Sequence, residues 1–255
     1  MARPDSNELI HYLGLILLCF VLYLPGLTTL PPVDRDEARF VQATRQMLES
    51  RDFVQIRFQN KPRHKKPIGI YWLQATAVTM TGASQTNHVW PYRLPSLLGA
   101  LAAVLLTFSF GKNLFDRSTG LLAAMLTASS LLLVVEAHMA TTDAVLLATV
   151  VAAQGSLADL YVKTRRGETA GWGMPILFWA AQGIGILIKG PISPLVSLVT
   201  ILTLIAVDRQ VSLLRSLRLP LGIPLVAIIV CPWAIAITVA TDGAFFSDAL
   251  RSDLL

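Results

Sequence analysis

Seven runs of apolar residues, each close to the length of a bilayer-spanning helix, leave this chain few ways to fold. They are Leu9–Leu30, Arg93–Phe110, Ser118–Ala137, Asp143–Val162, Met174–Ile188, Pro191–Val207 and Leu219–Thr241. A helix needs about 20 predominantly apolar residues to cross a hydrocarbon core roughly 30 Å thick, and a soluble core of this size would not bury so many of them. Charged residues make up 15% of the chain, against about 25% in ordinary soluble domains, and the mean hydropathy is +0.59. The sequence therefore predicts an all-α integral membrane protein, one domain over residues 1–255, with about seven spans. Cys19 and Cys231 both lie inside apolar runs and read as packing residues, with no disulfide framework or thiolate metal site to build on. The first run is long and is not followed by a small-x-small cleavage site, so it reads as an uncleaved anchor.

An eighth apolar stretch, Pro67–Thr81, would make only roughly 22 Å of helix, too short to cross comfortably. Taking it as interfacial puts the N-terminus and three basic connections on one face: Lys112 with Arg117, Lys163–Arg166, and Arg209–Arg218. That is the arrangement expected of a cytoplasmic side. The outer loop 31–92 then breaks the rule, because Pro31–Lys66 holds nine Lys or Arg against five Asp or Glu. A folded loop can tolerate such an excess; the sharper reading is an anionic ligand, since Arg and Lys are the side chains that hold phosphate oxygens. Within this loop residues 36–50 predict an amphipathic helix, with Phe40, Ala43, Thr44 and Met47 at helical spacing and one face resting on the bilayer. Asp34 and Glu37 have the spacing of a capping box.

Ionisable residues near membrane depth need a partner, a wet cavity or a place at the interface. Asp36, Lys66, Asp143 and Lys189 all fall on the outer face in this topology and predict a single site. Asp36 reads either as a first-turn carboxylate favoured by the helix dipole or as a general base. Lys66, ahead of Pro67, is either a snorkelling anchor or a phosphate clamp. Lys189-Gly190-Pro191 breaks the apolar stretch 174–207, so Lys189 is either a solvated turn residue or a second phosphate ligand. Asp143 is either a helix cap or part of the site, with Thr142 available to cap instead. A divalent ion held by Glu136, His138 and Asp143 with Asp36 stays open on weak evidence, because the ligands have no fixed spacing.

Five motifs then occur in a recognisable order: Asp36-Glu37-Ala38-Arg39-Phe40, Lys66-Pro67-Ile68-Gly69-Ile70-Tyr71-Trp72, Arg93-Leu94-Pro95-Ser96, Thr142-Asp143 and Leu187-Ile188-Lys189-Gly190-Pro191. The chain resembles the GT-C fold membrane glycosyltransferases, in particular the bacterial lipid A aminoarabinose transferases and relatives of the protein mannosyltransferases. The resemblance implies a GT-C-like helical bundle with an interfacial helix over 67–81. It also implies inverting transfer from a polyprenyl-phosphate sugar to a hydroxyl acceptor, at the outer face of a bacterial inner membrane. It makes Asp36 the catalytic carboxylate, followed by Arg39 and Phe40 on the same helix, makes Lys66 a phosphate-contacting lysine and matches Asp143 to the second outer-loop aspartate. Together with the charge reading above, the expected donor-phosphate residues are Lys66, Arg39 and Lys189, supported by Glu37, Asp143 and His138. The implied partners are the lipid-linked sugar, a lipid or protein acceptor and membrane lipids, with no nucleic acid. No cofactor is required beyond the open question of the divalent ion. Two positions depart from the pattern: Lys65 stands where those transferases have a glutamate, and Phe40 replaces a common tyrosine. Members of the group run to about twice this length, so the chain is expected to correspond to their N-terminal half. A transporter or flippase, with Asp143 and Lys189 along a path through the bilayer, and a non-catalytic membrane fragment are the competing readings.

Overall fold

The computed structural model describes residues 6–83, 87–169, 171–209 and 211–254. Positions 84–86 of the outer loop and the extreme ends of the 1–255 domain therefore lie outside the described residues. Twelve helices and one short hairpin follow in order: α1 Ser6–Tyr23, α2 Arg35–Ser50, β1 Arg57–Phe58, β2 Lys61–Pro62, α3 Gly69–Met80, α4 Trp90–Leu114, α5 Arg117–Ser129, α6 Leu131–Ala137, α7 Asp143–Arg165, α8 Gly173–Lys189, α9 Ile192–Asp208, α10 Ser212–Ser216, α11 Leu219–Thr241 and α12 Ala244–Leu254. Among the described residues α4, α7 and α11 are long and apolar enough to span by themselves. The bent pair α5–α6 is long and apolar enough when its two halves are taken together, and the shorter apolar helices Glu8–Tyr23, α8 and α9 complete the seven apolar elements. The protein is an all-α integral membrane bundle.

Two of the expected spans differ from the continuous helices the sequence predicts. The first helix ends at Tyr23 and not at Leu30, because Pro25 has no N–H to continue the ladder and Gly26 turns the chain with φ +87°. The span 118–137 bends by 60° at Ser130. At the bend the Tyr23 hydroxyl donates to the Ala128 carbonyl at 2.9 Å, satisfying an oxygen that the break leaves without its helical partner.

Helix α4 is the axis of the bundle, packed between α5 and α7. Gly99 lets α4 and α7 approach so closely that a Cβ there would lie 2.8 Å from the Val145 backbone. At the far end of α4, Lys112 pairs with Glu8 at the start of α1. The chain's beginning and the α4–α5 connection therefore share one end of the bundle.

Helix α2 buries Phe40, Ala43, Thr44 and Met47, the face its periodicity indicated. The expected surface for that face was the bilayer; the observed one is protein, a cluster with Ile56, Ile68, Ile70, Tyr71, Leu187 and Ile188. The capping box does not form either. Asp34 occupies the N-cap position without a side-chain cap. Glu37 turns inward and meets Arg93 of α4, with both side chains almost wholly buried.

That pair is fully satisfied. Arg93 donates from Nε to Glu37 Oε1 at 2.7 Å and from Nη2 to Oε2 at 3.3 Å. Its remaining three N–H groups go to the carbonyls of Leu27, Leu30 and Pro31. Glu37 also accepts from the backbone of Val33 and Ala140. One ion pair thus joins the end of α1, the start of α2, α4 and the turn before α7. Removing one partner leaves an unpaired buried charge, which costs about 3–5 kcal/mol. Glu37→Ala is expected to lower the thermal unfolding midpoint in detergent sharply and to reduce accumulation in membranes. An unchanged midpoint would show that the pair is not the joint of the fold.

Candidate functional site

At the end of the bundle away from the Glu8–Lys112 pair, a polar cleft of about 320 Å³ opens between α2, the residues before α3, the turn before α7, and the end of α8. Asp36, Arg39, Lys66, Asp143 and Lys189 all line it, with Asp34, Arg35, Arg63, Lys65 and Glu136. Six cationic side chains face four carboxylates, so the cleft carries an excess of positive charge.

The turn preceding α7 is held from three directions. Gln74 donates to the Ala140 carbonyl and accepts from Thr44 at 2.6 Å, Ser96 donates to the Thr141 carbonyl at 3.1 Å, and Glu37 takes the Ala140 N–H. These fix Thr142 as the residue ahead of α7 and Asp143 as its first residue; neither side chain caps the helix. Asp143 is therefore available to Lys189, and the two form an ion pair. Lys189 reaches this point because α8 ends there: Gly190 adopts φ 72° and Pro191 starts the next segment. Lys66 is brought to the same place by Gly69, where a Cβ would lie 2.6 Å from the Leu187 carbonyl oxygen, so only glycine lets α3 start against the last turn of α8.

Asp36 and Glu37 are adjacent on α2 and point apart, as the helical step requires. Glu37 is inside with Arg93 and does not line the cleft. Asp36 is just over half exposed and is steadied by Arg39, whose Nη1 donates to it at 3.1 Å. The cleft thus offers the exposed Asp36 carboxylate beside several ammonium and guanidinium groups, a set suited to deprotonating a hydroxyl while holding an anion.

His138, expected to support the site, lies elsewhere. Its Nδ1 faces the Val134 carbonyl at 2.7 Å and its Nε2 the Pro25 carbonyl at 2.9 Å, so the ring ties α6 to the turn after α1. The metal set considered from sequence does not assemble: Asp143 is paired with Lys189, Asp36 with Arg39, and Glu136 accepts from Thr141 at 2.8 Å. Among the described residues no three His, Cys, Asp or Glu side chains converge as metal ligands.

Sequence reasoning gave no role to two arginines. Arg93 stood at the start of a span and in the Arg93-Leu94-Pro95-Ser96 motif, yet an arginine opening an apolar run is itself a signal that it needs a buried partner; it frames the cleft without lining it. Arg63 was one basic residue among nine in its loop, and no spacing marked it out. Its guanidinium lies over the Phe40 ring, 5.4 Å from the centroid, and its Nε donates to the Tyr71 hydroxyl at 3.2 Å. Burial pushes the Tyr71 phenol up from its ordinary pKa, against the lowering influence of Arg63, so it stays neutral and can accept this bond.

The sequence profile of the dolichyl-phosphate-mannose-protein mannosyltransferases matches residues 9–243. Curated relatives include the undecaprenyl phosphate-alpha-4-amino-4-deoxy-L-arabinose arabinosyl transferase of Aeromonas hydrophila, 29% identical over 227 residues, covering 88% of this chain and 40% of that protein. The enzyme of the same name from Erwinia tasmaniensis is 28% identical over 204 residues, covering 79% and 35%. The chain thus spans about 40% of the length of these relatives. The crystal structure of ArnT from Cupriavidus metallidurans in the apo state superposes with a TM-score of 0.81 at 22% identity, covering 93% of this chain and 43% of that one. The structure of the same protein bound to undecaprenyl phosphate gives 0.75 at 23% identity, covering 94% and 43%. The helical bundle is that of the GT-C fold.

Lys189 and Asp143 keep 22% and 43% of their side chains exposed. Solvent then screens the pair, and its coupling is expected to be about 1 kcal/mol or less. A double-mutant cycle of Asp143→Asn and Lys189→Gln, read by thermal unfolding in detergent, measures it. A coupling several times larger would make the pair a structural strut and not a poised part of the cleft.

Proposed function

The chain belongs to the dolichyl-phosphate-mannose-protein mannosyltransferase family, and from that membership and the cleft we propose that it is a membrane glycosyltransferase using a polyprenyl-phosphate sugar. The acceptor is a hydroxyl on an envelope lipid or a protein, reached at the outer face of the inner membrane. The observation that carries this reading is the meeting of an exposed carboxylate, Asp36, with Arg39, Lys66 and Lys189 in one cleft at the end of an apolar bundle. The relatives named for sugar transfer from undecaprenyl phosphate agree with it.

In the proposed reaction Asp36 takes the proton of the acceptor hydroxyl as that oxygen bonds to the anomeric carbon. The bond from the anomeric carbon to the phosphate oxygen breaks, and its electron pair leaves on the polyprenyl phosphate. Attack from the face opposite the phosphate inverts the anomeric centre. Phosphate is a good leaving group, so the main demand is to neutralise the charge that grows on it, the role of Lys66, Lys189 and Arg39. Asp143 is a positioning residue, fixing where the Lys189 ammonium stands. A path through the bilayer has less support, since Asp143 and Lys189 open onto the same cleft as Asp36.

Asp36→Asn is expected to lower transfer about 100-fold or more, with donor binding retained. The assay is sugar transfer from an undecaprenyl-phosphate donor in membranes expressing the native gene; transfer at the wild-type rate would remove Asp36 from the chemistry. The orientation is checked by placing a cysteine at the exposed Asn60, in a background lacking Cys19 and Cys231. A membrane-impermeant maleimide should label it in intact spheroplasts, and labelling only after permeabilisation would put the cleft on the cytoplasmic face.

A further inference from the structure

Arg63 lines two cavities. One is the polar cleft just described; the other, of about 590 Å³, lies beyond it between the β1–β2 hairpin and Asp248 of α12, and shares Arg39, Arg63 and Lys65 with the first. An arginine at such a junction would ordinarily be mobile and solvated, but this one is 9% exposed. Its backbone N–H bonds to the Ile56 carbonyl at 2.8 Å, which anchors it at the foot of the hairpin. The hairpin is in turn fixed to α2, where Gln46 accepts from the Gln59 N–H at 2.8 Å and donates to its carbonyl at 3.1 Å. Phe40 beneath the plane and Tyr71 on Nε then set the orientation of the guanidinium.

Three carboxylates that line the two cavities are occupied with other groups. Asp36 is paired with Arg39, Asp143 with Lys189, and Asp248 is hydrogen-bonded to His64 at 2.9 Å. Among the described residues neither terminal nitrogen of Arg63 enters a hydrogen bond or ion pair. A desolvated, oriented guanidinium with its outer N–H edge unused is built for a ligand that accepts two parallel hydrogen bonds.

We propose that Arg63 is a phosphate-binding residue of this protein, holding the lipid-linked phosphate by a bidentate contact at the junction of the two cavities. The proposal rests on the polyprenyl-phosphate reading above and deepens it. Lys66 and Lys189 supply point charges that attract the phosphate; Arg63 supplies a fixed plane that orients it. Two consequences separate it from a general attraction for anions. Lysine at position 63 keeps the charge but loses the planar fork, so it restores only part of the affinity. Tyr71→Phe keeps the ring and every charge but frees Nε, so it weakens binding through orientation alone.

The test is equilibrium binding of undecaprenyl phosphate, undecaprenol and inorganic phosphate to the purified full chain in nanodiscs, with the unfolding midpoint recorded for each variant. Wild-type protein is expected to bind undecaprenyl phosphate, to bind undecaprenol much more weakly, and to have inorganic phosphate compete. Arg63→Gln should weaken undecaprenyl phosphate binding about 10-fold or more, Arg63→Lys by less, and Tyr71→Phe by about 3-fold, with undecaprenol binding unchanged in all three. Wild-type affinity in a folded Arg63→Gln or Arg63→Lys protein would overturn the assignment and leave the glycosyltransferase reading intact. A lowered midpoint with unchanged affinity would reduce Arg63 to a packing residue. Failure of the wild type to prefer undecaprenyl phosphate over undecaprenol would sink the donor reading itself, and Arg63's role with it.

Discussion

The buried contact between Glu37 and Arg93 is the constraint on which the cleft end of this protein depends. A charged pair removed from water is stabilising only when every donor and lone pair finds a partner. Here all five N–H groups of Arg93 are used, two on Glu37 and three on the carbonyls of Leu27, Leu30 and Pro31. Those carbonyls are free because Pro25 and Gly26 end α1 early. The break in the first span, which looks like a shortened helix, supplies the acceptors that let an arginine sit inside the bundle.

From that joint the site follows by short steps. Glu37 inside forces Asp36 outside, onto the cleft, because neighbours on a helix point about 100° apart. Glu37 also holds the Ala140 N–H, and with Gln74 and Ser96 it fixes the turn that presents Thr142 and Asp143. On the other side Gly69 brings the start of α3 against the end of α8, so Lys66 and Lys189 arrive together. The six cations of the cleft come from three segments, α2, the residues before α3 and the end of α8, placed respectively by a buried ion pair, a backbone-to-backbone approach and a helix break at Gly190-Pro191.

The division of labour among the charges is as informative as their number. Glu37 and Arg93 neutralise one another out of reach of solvent and serve the fold. Asp143 and Lys189, and Asp36 and Arg39, keep part of their surface in the cleft, where solvent screens each pairing. Arg63 is held by an aromatic ring and a phenol, neutral groups that orient it without cancelling its charge. A cleft built in this way keeps an excess of positive charge beside a membrane that its apolar helices already occupy.

Much of this was legible in the sequence. The apolar runs fixed the all-α membrane class and the number of candidate spans, since the bilayer admits few other solutions for backbone polar groups. The Gly190-Pro191 break and the buried stripe of α2 followed from local backbone preference and periodicity. So did the grouping of Asp36, Lys66, Asp143 and Lys189 at one end, because charge at membrane depth has few places to go. Tertiary structure alone decided the rest. Periodicity shows that α2 has an apolar face but not whether lipid or protein covers it, and the cover is protein. His138 and Glu37 have the chemistry of site residues, yet partners distant in sequence, Pro25 and Arg93, claim them. The Ala128 carbonyl beside the bend at Ser130 is taken by the hydroxyl of Tyr23, more than a hundred positions away, and the plane of Arg63 is set by side chains from two other segments. Periodicity and composition are local; the partner that satisfies a buried donor is not, and only the folded chain names it.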